Sequence, residues 1–500
     1  MKQEGYLMLN LRIDHRLRLI SKIGIVSAAT FISVSACSVG PDYVRPTAVV
    51  PPAFKETGDW KVAQPRDDVI KGPWWEIFND PQLNALEQQV NISNQNVAAA
   101  EAQFREARAV AQGARAGYFP TLTGGASATR TRTSGGLGST TRSGKTLTDY
   151  QLPIDFTWEL DIWGKIRRTV EAGRASAQAS AANLEAVRLS SQALLAQDYF
   201  QLATLDAQKK LLDETVGVYR KFYALTKNRY ASGVASQADV LQAETQLKST
   251  EAQAIDVGVQ RAQLEHAIAV LIGKPASLFS IPFTPLAATP PIVPLGLPSE
   301  LLERRPDIAN AERSVAAANA QIGVAKAAYF PTVTLSASGG FESSLPSSWI
   351  TWPSRFWSIG SALSETLFDG GLRRSQSDQA RAAYDASVAT YRQTTLTGFQ
   401  EVEDNLAALR ILEQEAGVQG EAVKASRQAV VITTNQYKAG IASALDVIVT
   451  QAANLANERS AVTVLGNRMN ASVLLVKALG GGWSAVALPT NDDLNKRGDK

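Results

Sequence analysis

Ala114-Arg115-Ala116-Gly117-Tyr118-Phe119-Pro120-Thr121 returns, 211 residues further on, as Ala325-Lys326-Ala327-Ala328-Tyr329-Phe330-Pro331-Thr332. Two further blocks repeat in the same order. Asp161-Ile162-Trp163-Gly164-Lys165-Ile166-Arg167-Arg168 answers to Leu367-Phe368-Asp369-Gly370-Gly371-Leu372-Arg373-Arg374 at a shift of 206. Asn228-Arg229-Tyr230-Ala231-Ser232-Gly233-Val234-Ala235-Ser236 answers to Asn435-Gln436-Tyr437-Lys438-Ala439-Gly440-Ile441-Ala442-Ser443 at a shift of 207. Three blocks in one order at nearly one offset mark an internal duplication. The offset drops between the first and second blocks, so the difference in length falls between Pro120 and Asp161.

Each copy reads alike. A helix over 82–117 is started by Asp80 as N-cap and Pro81 at the first helical position. It is ended by Tyr-Phe-Pro, because proline disfavours helix in the residue before it. Two strands follow, at about 121–133 and 148–160 in copy one and about 331–342 and 356–368 in copy two. Residues 148–160 alternate, with Leu152, Ile154, Phe156 and Trp158 on one face and Gln151, Asp155, Thr157 and Glu159 on the other. The segment Ser134–Ser139 is a loop by composition. Phe341, Trp349, Trp352, Phe356 and Trp357 crowd the second pair of strands and resemble an interfacial girdle more than a sheet core. Gly164 and Gly370 mark strand-to-helix junctions. Leu184, Val187, Leu194, Leu202, Leu205, Leu212, Val216 and Tyr219 then form one stripe of a helix over 165–229. At 1.5 Å per residue that helix is about 100 Å long, longer than an ordinary globular domain is wide. It turns near Gly233 and returns over 236–272, ending at Gly273; Gly480 is the counterpart in copy two.

The chain therefore divides into a leader at 1–36, an extended N-terminal segment at 37–80, repeat one at 81–274 with its hairpin tip at 230–236, a proline-rich connector at 275–300, repeat two at 301–482 with its tip at 437–443, and a polar tail at 483–500 expected to be poorly ordered. The leader has a basic start (Arg12, Arg16, Arg18, Lys22) and an apolar run Ile23–Val34 too short to span a bilayer. Val34-Ser35-Ala36 then precedes Cys37, the one cysteine in the chain. Small residues before a cysteine resemble a lipobox, in which the leader is removed and the thiol acylated, with translation starting at Met1 or Met8. Ser38 after the cysteine, in place of Asp, implies by the same resemblance sorting to the outer membrane.

Net charge is +3 with charged residues at 19%, and no basic cluster points to nucleic acid. Two histidines and three methionines leave little for a metal site. No P-loop, His-centred triad or metal-ligand cluster is found, so no catalytic residue, metal or cofactor is expected beyond the lipid on Cys37. Past Cys37 no apolar run reaches the length of a spanning helix. The fold class expected is α+β: long antiparallel helices plus four strands per chain. Four strands cannot close a barrel, and open edges are not tolerated in lipid. Two chains would supply eight strands and three would supply twelve.

Several further stretches carry a family resemblance. They are Cys37-Ser38-Val39-Gly40-Pro41-Asp42-Tyr43, Trp74-Trp75-Glu76-Ile77-Phe78-Asn79-Asp80-Pro81, both Tyr-Phe-Pro blocks, Asp161-Ile162-Trp163-Gly164 and Leu301-Leu302-Glu303-Arg304-Arg305-Pro306-Asp307-Ile308. Tyr230-x-x-Gly233 with Asp239-Val240-Leu241, and Tyr437-x-x-Gly440 with Asp446-Val447-Ile448, complete the set. The chain resembles the outer membrane factor family of TolC/OprM type, in its lipoprotein branch. The resemblance implies a homotrimer with a twelve-stranded barrel in the outer membrane, a helical tunnel through the periplasm and an equatorial belt. It also implies an exit duct for drugs or toxic compounds, served by a periplasmic adaptor and an inner-membrane transporter of RND type. The outer-membrane duct of a type I protein secretion system shares this fold and stays open as an alternative.

The tips place Gly233, Val234, Ala235, Gly440, Ile441 and Ala442 as a candidate adaptor-docking surface. Asp239 and Asp446, one turn beyond, stabilise helix N-termini through the dipole or form an acidic ring at a pore mouth. Some family members carry an acidic residue inside the second tip, where this chain has Ala442 and Ser443. Arg304, Arg305 and Asp307 read as a surface ion pair or cap.

Overall fold

A computed structural model describes residues 38–57, 72–134, 136, 144–287, 289–293 and 298–496. The leader, Cys37 and most of the loop that closes the first strand pair lie outside the described residues.

The duplication is reproduced from residue 95 in copy one and residue 306 in copy two onward. Copy one contains α1 (Pro81–Ser93), α2 (Gln95–Ala116), β1 (Thr121–Gly124), β2 (Ser127–Arg132), β3 (Thr146–Leu160), α3 (Lys165–Ala231) and α4 (Gln237–Leu271). Copy two contains α5 (Pro306–Ala327), β4 (Thr332–Ser343), β5 (Arg355–Ser364), α6 (Leu372–Lys438) and α7 (Ala444–Ala478). The short helix α8 (Asn491–Asn495) follows. The paired helices match in length: α2 and α5 have 22 residues each, α3 and α6 have 67, α4 and α7 have 35.

The expected helix over 82–117 is two helices. Asp80 caps the first as read, accepting from the backbone N–H groups of Gln82 and Leu83. The break falls at Asn94, whose side chain accepts from Asn96 and Val97 and donates to Leu271 O at 2.7 Å. Ser93 Oγ donates to Ile272 O at 2.7 Å. The kink thus supplies partners to the carbonyls that the end of α4 leaves open.

The stripe on α3 holds at Leu184, Leu202, Leu205, Leu212, Val216 and Tyr219, all buried, whereas Leu194 is exposed. There the helix turns Ala193, Leu195, Ala196, Tyr199 and Phe200 inward instead. These join Trp74, Trp75, Phe78, Leu83, Ile268, Val402, Leu406 and Met469 in the largest core, so the middle of α3 lies at the centre of that core.

Two other readings are corrected. The tail is ordered through residue 496: Thr490 and Asp493 form a capping box, Leu494 is buried against α2, and Gln112 donates to Leu494 O at 3.2 Å. One apolar residue and a cap suffice to dock a tail that is polar by composition. Arg305 is buried rather than at the surface; it bonds Asp307, Glu401 and Ala478 O at 2.7, 2.7 and 2.9 Å, tying α5 to α6 and to the end of α7. Arg304 pairs with Glu300 at 2.9 Å.

Glu87 on α1 is fully buried, and among the described residues neither carboxylate oxygen has a hydrogen-bond partner. Burial alone pushes its carboxyl well above the usual range. The folded chain then keeps a proton that the unfolded chain loses above about pH 4.3, so stability is full below that pH and falls as the pH rises. Glu87→Gln is therefore expected to raise the melting temperature at pH 8 and to leave it nearly unchanged at pH 4, measured on the detergent-solubilised protein. An equal shift at both pH values would contradict this reading.

Candidate functional site: the barrel wall and the hairpin tips

The strands form one antiparallel sheet in the order β1/β2–β3–β4–β5, in which β1 and β2 are two segments of a single strand broken at residues 125–126. Four strand positions result, as expected. Register assigns the faces, because directly opposed residues share a side. Ile154 lies opposite Gly124 and Gly339, and Phe156 opposite Leu122 and Ala337. Trp158 lies opposite Leu335, and Leu160 opposite Val333. Val333 in turn meets Leu363, and Ala337 meets Ile359. That face is apolar yet uncovered: Leu122, Ile154, Trp357, Ile359 and Leu363 are all exposed.

The other face carries Asp155, Thr157, Glu159, Thr334, Ser336, Ser338, Ser358 and Glu342. Asp155 Oδ1 accepts from Ser338 Oγ at 2.6 Å. A sheet with its apolar face bare and its polar face lined by hydroxyls and carboxylates inverts the logic of a soluble protein and matches a wall between lipid and water. From Tyr150 to Leu160 the apolar face covers 11 residues. At about 3.4 Å per residue and a tilt near 40°, this is roughly 25 Å of height, the thickness of a hydrocarbon-facing band.

Aromatic residues sit at both ends of the band. Tyr118, Phe119, Trp163, Tyr329 and Phe330 gather where helices meet strands, with Trp163 stacked on Phe330 at 4.8 Å. The repeated Tyr-Phe-Pro block is thus both a helix stop and an interface residue set. At the far end Tyr150 meets Trp349 at 5.6 Å, and Arg355 lies 3.9 Å from the ring centre of Trp352. Among the residues expected to form a girdle, Trp349, Trp352 and Trp357 are at this end on the loop or the apolar face. Phe341 is on the apolar face too, while Phe356 falls on the polar face beside Gly340.

Below the sheet, Asp161 accepts from the backbone N–H groups of Ile166 and Arg167, both at 2.8 Å, and starts α3. Asp369 does the same for α6 through Gly371 at 2.9 Å. Residues 38–57 run as an extended strap from this junction. Val39 N donates to Trp163 O at 3.1 Å, and Arg168, buried, pairs with Asp42 at 2.8 Å. Asn319 donates to Pro41 O, and the backbone N–H groups of Lys55 and Glu56 donate to the Glu403 carboxylate. A Cβ on Gly40 would stand 2.6 Å from Gly323 Cα, so the strap is pressed onto α5 by paired glycines. Composition gave no sign of these contacts. Ser38, the residue after Cys37, packs against Gly164 at the strand-to-helix junction.

At the other end, the two tips have the same construction. Gly233 and Gly440 have φ of 75° and 78°, a region costly to any side chain. Val234 N donates to Arg229 O and Ile441 N to Gln436 O, at 2.8 and 2.9 Å, closing a Schellman turn. Ser236 with Asp239 and Ser443 with Asp446 then form capping boxes that start α4 and α7. Both carboxylates therefore have a local structural partner; the Ser443 hydroxyl and then its backbone N–H hold the Asp446 carboxyl below the usual range. Val234 is 65% and Ile441 78% exposed, with Leu445 exposed beside them, while Ala235 and Ala442 are half-buried. The hairpins lock together beneath: Tyr437, 4% exposed, packs on Phe222, and Arg229 lies over the Tyr437 ring while donating to its carbonyl at 3.0 Å.

Among the described residues no helix is long and apolar enough to cross a membrane, and no group of three or more His, Cys, Asp or Glu side chains could hold a metal. His266 is exposed.

These surfaces define a class of protein: a barrel wall for the outer membrane, continued by helices long enough to cross much of the periplasm. The sequence profile described as "Outer membrane efflux protein" matches residues 86–274 and 297–481. The chain is 31% identical over 463 residues to the probable efflux pump outer membrane protein TtgC of Pseudomonas putida, covering 91% of this chain and 95% of that one. It is 31% identical over 417 residues to the pyoverdine export outer membrane protein OpmQ of Pseudomonas aeruginosa, covering 82% and 88%. The solved outer-membrane channel OprN superimposes with a TM-score of 0.84 at 30% identity, covering 89% of this chain and all of that one. The chain belongs to the outer membrane efflux protein family. It is an outer-membrane channel of an efflux system, and its relatives are ducts rather than enzymes.

Proposed function

We propose that three copies of this chain close a twelve-stranded barrel and a helical tube, tethered by a lipid on Cys37. In this reading the duct passively conducts small toxic compounds delivered by a periplasmic adaptor and an RND-type inner-membrane transporter. The observation that carries the reading is the four-stranded sheet with a bare apolar face and two unpaired edges, leading directly into 67-residue helices. Edges in lipid must be paired, so the sheet needs copies of itself. Lipidation is supported by the lipobox-like residues before Cys37 and by the position of the following residue, Ser38, against Gly164 at the sheet-to-helix junction. Small-molecule cargo is supported by the names of the relatives, among them toluene and antibiotic efflux pump proteins of Pseudomonas putida.

The test is complementation in a strain deleted for this chain. Restored resistance to organic solvents and antibiotics, with a mature protein whose mass includes acyl chains at Cys37, is the expected result. Restored secretion of a protein substrate with no change in resistance would move the function to type I secretion. An unmodified thiol at position 37 would remove the anchor.

A further inference from the structure

The charges on the sheet are sorted completely by face. Register places every acidic residue of the described strands, Asp149, Asp155, Glu159 and Glu342, on the polar side. The apolar side carries none, and its three cations all lie at the end away from the helices. Arg130 is opposite Thr148 and Arg132 opposite Thr146, two and four residues beyond Tyr150, where the apolar band ends. Arg355, the first residue of β5, is opposite Phe341 on the same side. All three are exposed, and none has an acidic partner among the described residues. The two segments that close this end, 133–145 and 344–354, contain no Asp or Glu at all.

Guanidinium groups gathered toward this end repel one another, and no carboxylate on that side of the described strands offsets them. Their surroundings are those of an interface: Trp352 under Arg355 at 3.9 Å, Trp357 one step along β5, and Tyr150 against Trp349. Arg130 and Arg132, two and four residues past the band, stand roughly 5–10 Å beyond the hydrocarbon edge, the level of lipid headgroups, and Arg355, in register with Leu152, stands just inside that edge. β2 and β5 are the two edges of the sheet. Closing the barrel, which rests on the oligomer proposed above, therefore brings the edge strand that carries Arg130 and Arg132 in one copy against the edge strand that carries Arg355 in the next. A planar guanidinium fork matches phosphate oxygens two at a time.

We propose that Arg130, Arg132 and Arg355 form, at each seam between copies, an outward-facing site for the phosphates of an anionic outer-leaflet lipid. The acyl chains of that lipid lie on Ile359, Leu363 and Leu122, and its headgroup phosphates sit between the arginines. Trp352 and Trp357 flank the sugar or glycerol portion. The site lies outside the conducting path, so it joins neighbouring copies without touching cargo.

The test is native mass spectrometry of the full-length oligomer in detergent, titrated with diphosphoryl lipid A, with lipid A stripped of its phosphates, and with inorganic phosphate. The spectrum reads oligomer mass and bound lipid separately. The expected result is one phosphorylated lipid per seam, little binding of the dephosphorylated form, and no retention of inorganic phosphate. Arg130→Gln/Arg132→Gln/Arg355→Gln should keep the oligomer and weaken lipid binding at least about tenfold. Should that variant fail to assemble, Arg130→Gln/Arg132→Gln and the salt dependence of the unmodified protein decide, with binding expected to weaken as salt rises. Equal binding with and without lipid phosphates, or by variant and parent, would overturn the proposal. An oligomer other than a trimer would overturn the trimer alone, since adduct number would still follow seam number.

Discussion

Ile154→Arg is expected to abolish stable assembly in the outer membrane, while Ser336→Arg, which also puts an arginine on the sheet, is expected to leave assembly intact. Ile154 is at the middle of the apolar face, paired with Gly124 and Gly339 and 56% exposed in the single chain. An arginine at the bilayer midplane costs about 2–4 kcal/mol, so the proposed trimer loses roughly 6–12 kcal/mol, comparable with the whole stability of a domain. Ser336 is within the same band on the polar face, opposite Thr157 and Gly360, where water solvates the charge. Its replacement should instead put positive charge on the polar face that carries Asp155 and Glu159 and shift the ion selectivity of the passage toward anions. Heat-resistant oligomer bands in isolated outer membranes check both. If Ile154→Arg assembled normally and Ser336→Arg did not, the two faces would have been assigned the wrong way round.

The second large effect is expected at the tips. Val234→Asp/Ile441→Asp should reduce resistance to that of a strain lacking the protein, with the oligomer still present in the outer membrane. The folding of each tip rests on backbone bonds, a positive-φ glycine and a Ser–Asp capping box, none of which uses the side chain of Val234 or Ile441. Their side chains point into solvent in the isolated chain, so aspartate costs the fold little. Covering each apolar side chain by a partner is worth about 2 kcal/mol, close to thirtyfold in affinity per site. A photo-crosslinking residue at Ala442 should capture an adaptor of a proton-driven pump. Capture of an adaptor from an ABC exporter would point to protein secretion, and full resistance in the double variant would remove the tips from docking.

Repeated local signals made much of this architecture legible. Tyr-Phe-Pro, the junction glycines and Tyr-x-x-Gly followed by Ser-x-x-Asp act over one or two turns, and the structure uses each where it occurs. Alternation from Leu152 to Glu159 already separated lipid-facing from water-facing residues. What stayed hidden depends on partners far along the chain. Asn94 breaks a helix that its own sequence would continue, because the end of α4 docks there. Leu194 leaves its stripe because the largest core takes Ala193 and Leu195 instead. The buried Asp206, held by Arg261 at 2.7 Å and by Thr284 N at 2.8 Å, joins α3, α4 and the connector across separations that no local pattern encodes. The strap from Ser38 to Thr57 reads as a proline-rich coil and becomes visible only against α5 and α6. The sorting of Arg130, Arg132 and Arg355 onto one face required the strand register.

The central claim, that the sheet is completed by copies of itself, is tested most directly by disulfide trapping across the seam. Single cysteines are placed on β5 at Ser361 or Leu363 and on β1 at Leu122 or Gly124, all on the lipid-facing side, combined in pairs in one chain and oxidised in whole cells. The account predicts covalent dimers and trimers on denaturing gels for the pairs in register, with trimer as the largest species and monomers alone when either cysteine is omitted. Monomers alone from every pair, or a ladder continuing past three, would contradict it.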